Sequence, residues 1–154
     1  MTKRVQRDGF CRLLFIVTCA LLSGGVSAQS SVPAEEQAIK NILARFYDGW
    51  NAHDVEKMVS VYAEDVDHIN VFAEWHKGKQ AIKEDLKRFH AGPAKNSRKT
   101  YTIEKIRFIK PDVAVAQVRS LSTVGNLGTY VMSKESGNWL VVSFTNVSYE
   151  PAPK

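Results

Sequence analysis

The sequence predicts an α+β domain in which helices come first and an antiparallel sheet follows. Three observations carry this. Apolar residues recur at helical spacing through residues 39–50, four long β-type runs joined by short turns fill the second half, and Gly92-Pro93 with a polar linker over 94–98 marks the change between them. At 154 residues the chain fits one domain, long enough to bury roughly two-thirds of its unfolded surface without disulfide or metal staples.

In chain order, residues 1–28 read as a secretory signal. Lys3, Arg4, Arg7 and Arg12 form a basic start, an apolar run covers 13–22, and Val26-Ser27-Ala28 is a small-x-small cleavage site. Cleavage after Ala28 is expected, with export to the periplasm or medium and no stable membrane insertion afterwards. An uncleaved anchor is the alternative, although the apolar run is shorter than the ~20 residues a spanning helix needs. Lipidation of Cys19 lacks the small residue expected just before it, where Ile16-Val17-Thr18 stands.

Residues 29–33 are a polar lead, and Pro33 suits the first turn of a helix. Ile39, Ile42, Leu43, Phe46, Tyr47 and Trp50 then form one apolar stripe, with Glu35 and Glu36 in the first turn to complement the macrodipole. After a turn at Asn51-Ala52-His53, Asp54 is placed to cap a second, short helix carrying Val55, Met58, Val59 and Tyr62, which Glu64-Asp65 ends. Residues 66–72 alternate Val66, His68, Asn70 and Phe72 against Asp67, Ile69 and Val71, which reads as a strand with one mixed polar and aromatic face. A loop over 73–77 carries Trp75 and His76. A third helix follows Gly78 with Ile82, Leu86 and Phe89 as its buried stripe, and Gly92-Pro93 stops it. The β runs cover 100–109, 113–124, 127–134 and 139–149, joined at 110–112, Gly125-Asn126 and 136–138 as consecutive hairpins. The domain proper is thus 34–149, and 150–154 is a tail.

Removing the signal changes the chemistry the composition suggests. It carries four of the 21 basic residues and one of the 16 acidic ones, leaving 17 against 15 and a net charge of +2. No basic patch for nucleic acid remains. Cys11 and Cys19 leave with the signal, so the mature chain has neither disulfide nor thiol nucleophile.

His53, His68, His76 and His90 show no metal-binding spacing, and no metal or other cofactor is expected. No Gly-x-Ser-x-Gly or phosphate loop is present. His68 is the acid–base candidate, because histidine exchanges a proton near neutral pH when a pocket holds it beside a substrate; a half-buried structural role is its alternative. Tyr47, Trp50, Phe72 and Trp75 form the expected cup for a small apolar or aromatic molecule, with Asn70, Tyr130 and Asn146 as polar groups that orient it.

The helix ending Phe-Tyr-Asp-Gly-Trp-Asn-Ala-His-Asp, then Tyr-Ala-Glu-Asp, Ile-Asn-Val-Phe, Trp-His-Lys-Gly-Lys-Gln-Ala-Ile and the later Gly-Asn-Trp-Leu-Val resemble the SnoaL-like branch of the nuclear-transport-factor-two-like superfamily, and more narrowly its SgcJ/EcaC-type subgroup. The resemblance spans about 34–149. It implies a cone, with a strongly curved antiparallel sheet wrapped around about three N-terminal helices in the cystatin-like manner, open at one end to a pocket and dimerising through the sheet. The implied activities are cyclase, dehydratase or isomerase-like, with a non-catalytic association module as the alternative. Ketosteroid isomerase itself fits poorly. Asn70 stands where its catalytic carboxylate belongs and Phe46 where its oxyanion tyrosine belongs; an amide is no base at neutral pH, and Phe donates no hydrogen bond.

Overall fold

The computed structural model describes residues 31–149. The signal segment, both cysteines, Gln29, Ser30 and the tail lie outside the described residues. The elements are α1 (Val32–Ala52), α2 (Val55–Val59), β1 (Tyr62–Ile69), β2 (Trp75–Lys77), α3 (Lys79–Ala91), β3 (Thr100–Lys110), β4 (Val113–Leu121), β5 (Gly125–Glu135) and β6 (Asn138–Tyr149). One six-stranded sheet runs β2-β1-β6-β5-β4-β3, antiparallel throughout except where β1 lies parallel to β6. Register shifts in β1, β3 and at the β5–β6 pair let the sheet curl, because each irregularity adds local twist.

Helix α1 buries the predicted stripe, with Ile39, Leu43, Phe46, Tyr47 and Trp50 all within the core. Each such side chain contributes about 1.5–3 kcal/mol by leaving water. The stripe packs with Met58, Ile82 and Leu86 against Ala114, Ala116, Val118, Tyr130, Met132 and Val141 on the helix-facing side of the sheet. Glu35 does more than complement a dipole. It is buried, accepting from Lys134 Nζ and Trp139 Nε1 at 2.6 Å each, and so ties the start of α1 to the β5–β6 hairpin. That hairpin turns on Ser136 and Gly137, whose φ of 47° and 85° are those of a two-residue type I′ turn.

Four boundaries differ from the sequence reading. Helix α2 keeps its Asp54 cap, which accepts from the Lys57 N–H at 2.9 Å, yet stops at Val59. Tyr62 belongs instead to β1, where it pairs with Val141 and is fully buried; a partner distant in sequence overrides a local helical spacing. Strand β1 ends at Ile69, short of Asn70 and Phe72. The Asn70 side chain accepts from the N–H groups of Phe72 (2.9 Å) and Glu74 (3.1 Å), and this competing set of bonds bends the chain into a turn. Trp75 and His76 lie on a short strand, not in a loop. The turn before β5 falls at residues 122–124, so Gly125 and Asn126 are strand residues. Gly125 leaves room for the Tyr149 ring, which a Cβ there would meet at 2.6 Å and push aside.

Candidate functional site

Strand register arranges the helix-facing side of the sheet in rows. One runs Ala116, Tyr130, Phe144, His68, His76; the next holds Val118, Gly128 and Asn146; the last holds Tyr101, Ser120, Asn126 and Ser148. Against the last row stand the C-terminal turns of α1 and α3 and the segment leading into β3. This is the polar end of the interior.

Lys99 is its central group. Asn51, at the end of α1, clamps the Lys99 backbone from both sides, its Oδ1 accepting from the N–H at 2.7 Å and its Nδ2 donating to the carbonyl at 2.9 Å. The side chain is thereby directed inward. Its Nζ sits 3.7 Å from the centre of the Trp50 ring and donates to Asn126 Oδ1 at 3.4 Å. No carboxylate pairs with it among the described residues. Burial pulls the amine down to about 8. Trp50 is itself held by its Nε1 donating to Ser97 Oγ at 3.0 Å.

Two buried histidines lie within electrostatic reach of this ammonium. His90 packs edge-on against Trp50 and shares a hydrogen bond with His53, Nδ1 to Nδ1 at 2.8 Å. His68 packs edge-on against Phe144 with ring centres 4.7 Å apart. His90 Nε2 and His68 Nδ1 are buried without a hydrogen-bond partner among the described residues. Burial holds both rings neutral, at about 4 instead of 6.5, assisted for His68 by His76 and Lys99 and for His90 by His53 and Lys99. Lys99 thus repels charge on both rings.

A pH dependence follows. The unfolded chain takes up these two protons near pH 6.5 and the folded chain only near 4, so stability is complete above about 6.5 and declines as the pH drops toward 4. Thermal melts are expected to show a lower Tm at pH 5 than at pH 7, with a smaller gap in His68→Gln. An equal gap in that variant contradicts the assignment.

Of the residues singled out in the sequence, Tyr47, Trp50, His68, Tyr130 and Asn146 lie on or against the inner wall. Tyr47 and Tyr130 hydroxyls are 3.2 Å apart, and the Tyr47 ring stacks on Tyr101 at 4.2 Å. Phe46 is core, surrounded by Tyr47, Trp50, Tyr62 and Tyr130. Asn70, Phe72 and Trp75 are not brought to this wall. Asn70 organises the β1–β2 turn, Phe72 is 70% exposed on it, and Trp75, 57% exposed, donates from Nε1 to Asp67 on the opposite side of the sheet. The early end of β1 takes Asn70 and Phe72 off the alternation, and Trp75, paired with Ile69 in β2, shares the face of Asp67.

Lys99, His90, Asn126 and Asn51 were not legible as site residues. Lys99 and Asn51 sit in polar linkers, and Asn126 in a sequence that reads as a turn. A surface concavity of about 630 Å³ adjoins Lys99, lined also by Asn51, Asn96, Ser97, Arg98, Thr100, Leu121, Ser122 and Thr123. A second, of about 770 Å³, lies between α1 and the β5–β6 hairpin beside Glu35 and Trp139. None of the eight residues named from the sequence lines either one. The fold also gathers Glu74, His76 and Asp85, whose ligand atoms lie within 4.8 Å of one another, a grouping across β2 and α3 that sequence spacing does not reveal. Asp85 is also paired with Arg88. Among the described residues no helix is long and apolar enough to cross a membrane.

Comparison with known proteins places this geometry. The SnoaL-like domain family matches residues 43–147. No curated protein matches. Among solved structures, a domain of unknown function with a cystatin-like fold from Nostoc punctiforme aligns with TM-score 0.74 at 20% identity, over 79% of this chain and 82% of that one. A protein described as nuclear-transport-factor-two-like from Shewanella baltica gives 0.64 at 15%, over 79% and 99%. A ketosteroid isomerase-like protein from Erwinia carotovora atroseptica gives 0.67 at 14%, over 76% and 98%. At these identities the likeness is one of fold.

Proposed function

The chain belongs to the SnoaL-like family, and from that premise we propose that it is an exported domain that holds a small apolar or aromatic molecule at the polar end of its conical sheet and moves a proton on it. One observation carries this reading: the neutral, buried His68 and the uncompensated Lys99 share an interior otherwise built from Tyr47, Trp50, Tyr130 and Phe144. Cyclase, dehydratase and isomerase-like reactions are served by a base that is unprotonated at working pH and a hydrogen-bond donor where oxygen gains charge. His68 supplies the first. Lys99 supplies the second, in place of the tyrosine that Phe46 cannot be.

The alternative, a non-catalytic module that dimerises through its sheet, is favoured by a different observation. The side of the sheet away from the helices presents half-buried Val115, Leu127 and Val131 with Val147 60% exposed, an apolar band suited to a second copy. Export rests on the basic and apolar residues of the N-terminal segment.

Native mass spectrometry of the protein purified from its source tests both parts in one spectrum. The expected species is a dimer of chains beginning at Gln29, each carrying a small molecule lost on collisional activation. A dimer without adducts supports the module, and a monomer removes the sheet interface.

A further inference from the structure

We infer that the molecule taken at this end of the cone is a small organic monocarboxylate, its carboxylate received by Lys99 and Arg98 and its body laid against Leu121. The inference rests on the preceding reading that the cone's open end binds a small molecule, and it adds the chemical class.

Charge is the first support. The concavity of about 630 Å³ is lined by two cations, Lys99 and Arg98, by amides and hydroxyls, and by no carboxylate. Arg98 is bound to a neutral acceptor, the Asn51 carbonyl at 3.0 Å, and has no acid partner among the described residues. Lys99 has an amide oxygen at 3.4 Å and an indole face, again with no acid. Elsewhere on the surface most lysines have an acidic partner, as in Lys40–Glu36, Lys79–Glu64 and Lys83–Glu56. An ammonium drawn into a site with only neutral acceptors is costly unless an anion completes it, because removal from water is repaid only by opposite charge and hydrogen bonds.

The number and placing of the donors decide the kind of anion. Of the two cations in the concavity Lys99 is the less exposed, and beside its ammonium are the Trp50 indole and the Asn126 amide. A singly charged, two-oxygen group matches this. A phosphate, with nearly two charges and more acceptor oxygens, needs the denser ring of donors found in phosphate-binding loops. Leu121, which lines the concavity and is 43% exposed, gives the rest of the molecule apolar surface, so an acid with an apolar body such as benzoate suits it.

The test is a titration of the isotope-labelled mature chain, followed by amide chemical shifts, with benzoate, with its neutral counterpart benzamide, and with inorganic phosphate. Benzoate is expected to move the amides of Lys99, Thr100 and Asn126 and to bind about tenfold or more tightly than benzamide. In Lys99→Met that preference disappears while benzamide binding persists, and in Lys99→Arg it remains. The wild-type comparison stands even if the methionine variant does not fold. Equal affinities for benzoate and benzamide overturn the carboxylate class and leave the binding reading intact. Phosphate binding more tightly than benzoate also overturns the class. If no probe moves the amides around Lys99, the carboxylate class falls, and the native mass spectrum decides the binding reading by itself.

Discussion

Phe144→Ala is expected to destabilise the protein by about 3–5 kcal/mol, lowering Tm by about 10 °C or more. Phe144 is 5% exposed and lies where the interior rows meet, edge-on to His68 at 4.7 Å and tilted against Tyr130 at 4.5 Å. The space it fills cannot close by local collapse. Gly128, its neighbour across the strands, has no side chain to contribute, and a Cβ there would stand 2.8 Å from the Phe144 ring. The loss therefore includes both the transfer of a large ring and a cavity. Urea melts of the wild type, Phe144→Leu and Phe144→Ala should fall in that order of midpoint. A loss under about 1 kcal/mol for the alanine variant shows that the wall rearranges and that His68 is not held by this contact.

His68→Ala is expected to reduce turnover of the molecule identified on the protein by about a hundredfold or more, the usual loss when a positioned base is removed. Its effect on stability is expected to be small, a few degrees in Tm, because two terms oppose. Packing against Phe144 is lost, but so is a buried ring nitrogen without a partner, whose presence costs about 1–3 kcal/mol. Turnover measured beside a thermal melt separates the outcomes. Unchanged turnover in a folded variant removes His68 from the mechanism, and turnover lost together with a large drop in Tm indicates a structural role.

The two expectations concern adjacent side chains that the sequence treats very differently. The burial of His68 was legible: it stands on the buried alternation of a strand that also carries Val66, and the pairing of β1 with β6 keeps it there. Asn70 and Phe72 continue the same alternation on paper. They fail because alternation is only a property of chain that stays extended, and the Asn70 side chain offers the backbone of Phe72 and Glu74 a competing set of hydrogen bonds. The gain of Lys99 has the converse cause. In the sequence it is one of several cations in a polar stretch, and only Asn51, 48 positions earlier, fixes its backbone and sends its side chain over Trp50.

What the sequence determined by itself was the set of elements and their order. Apolar spacing encodes which face of a segment leaves water, so α1, α3 and the four long strands, with Asp54 as a cap and Gly92 as a stop, were readable from local pattern. The tertiary structure decided where local preference was weak or contested. Tyr62 left a helical spacing for a strand beside Val141, and Glu35 left a solvated helix start for Lys134 and Trp139. It also decided the candidate site, since Asn51 and Lys99 meet across 48 positions and Trp50, His90 and Asn126 gather beside them. Burial and charge at such a meeting depend on distances in space, which no spacing along the chain records.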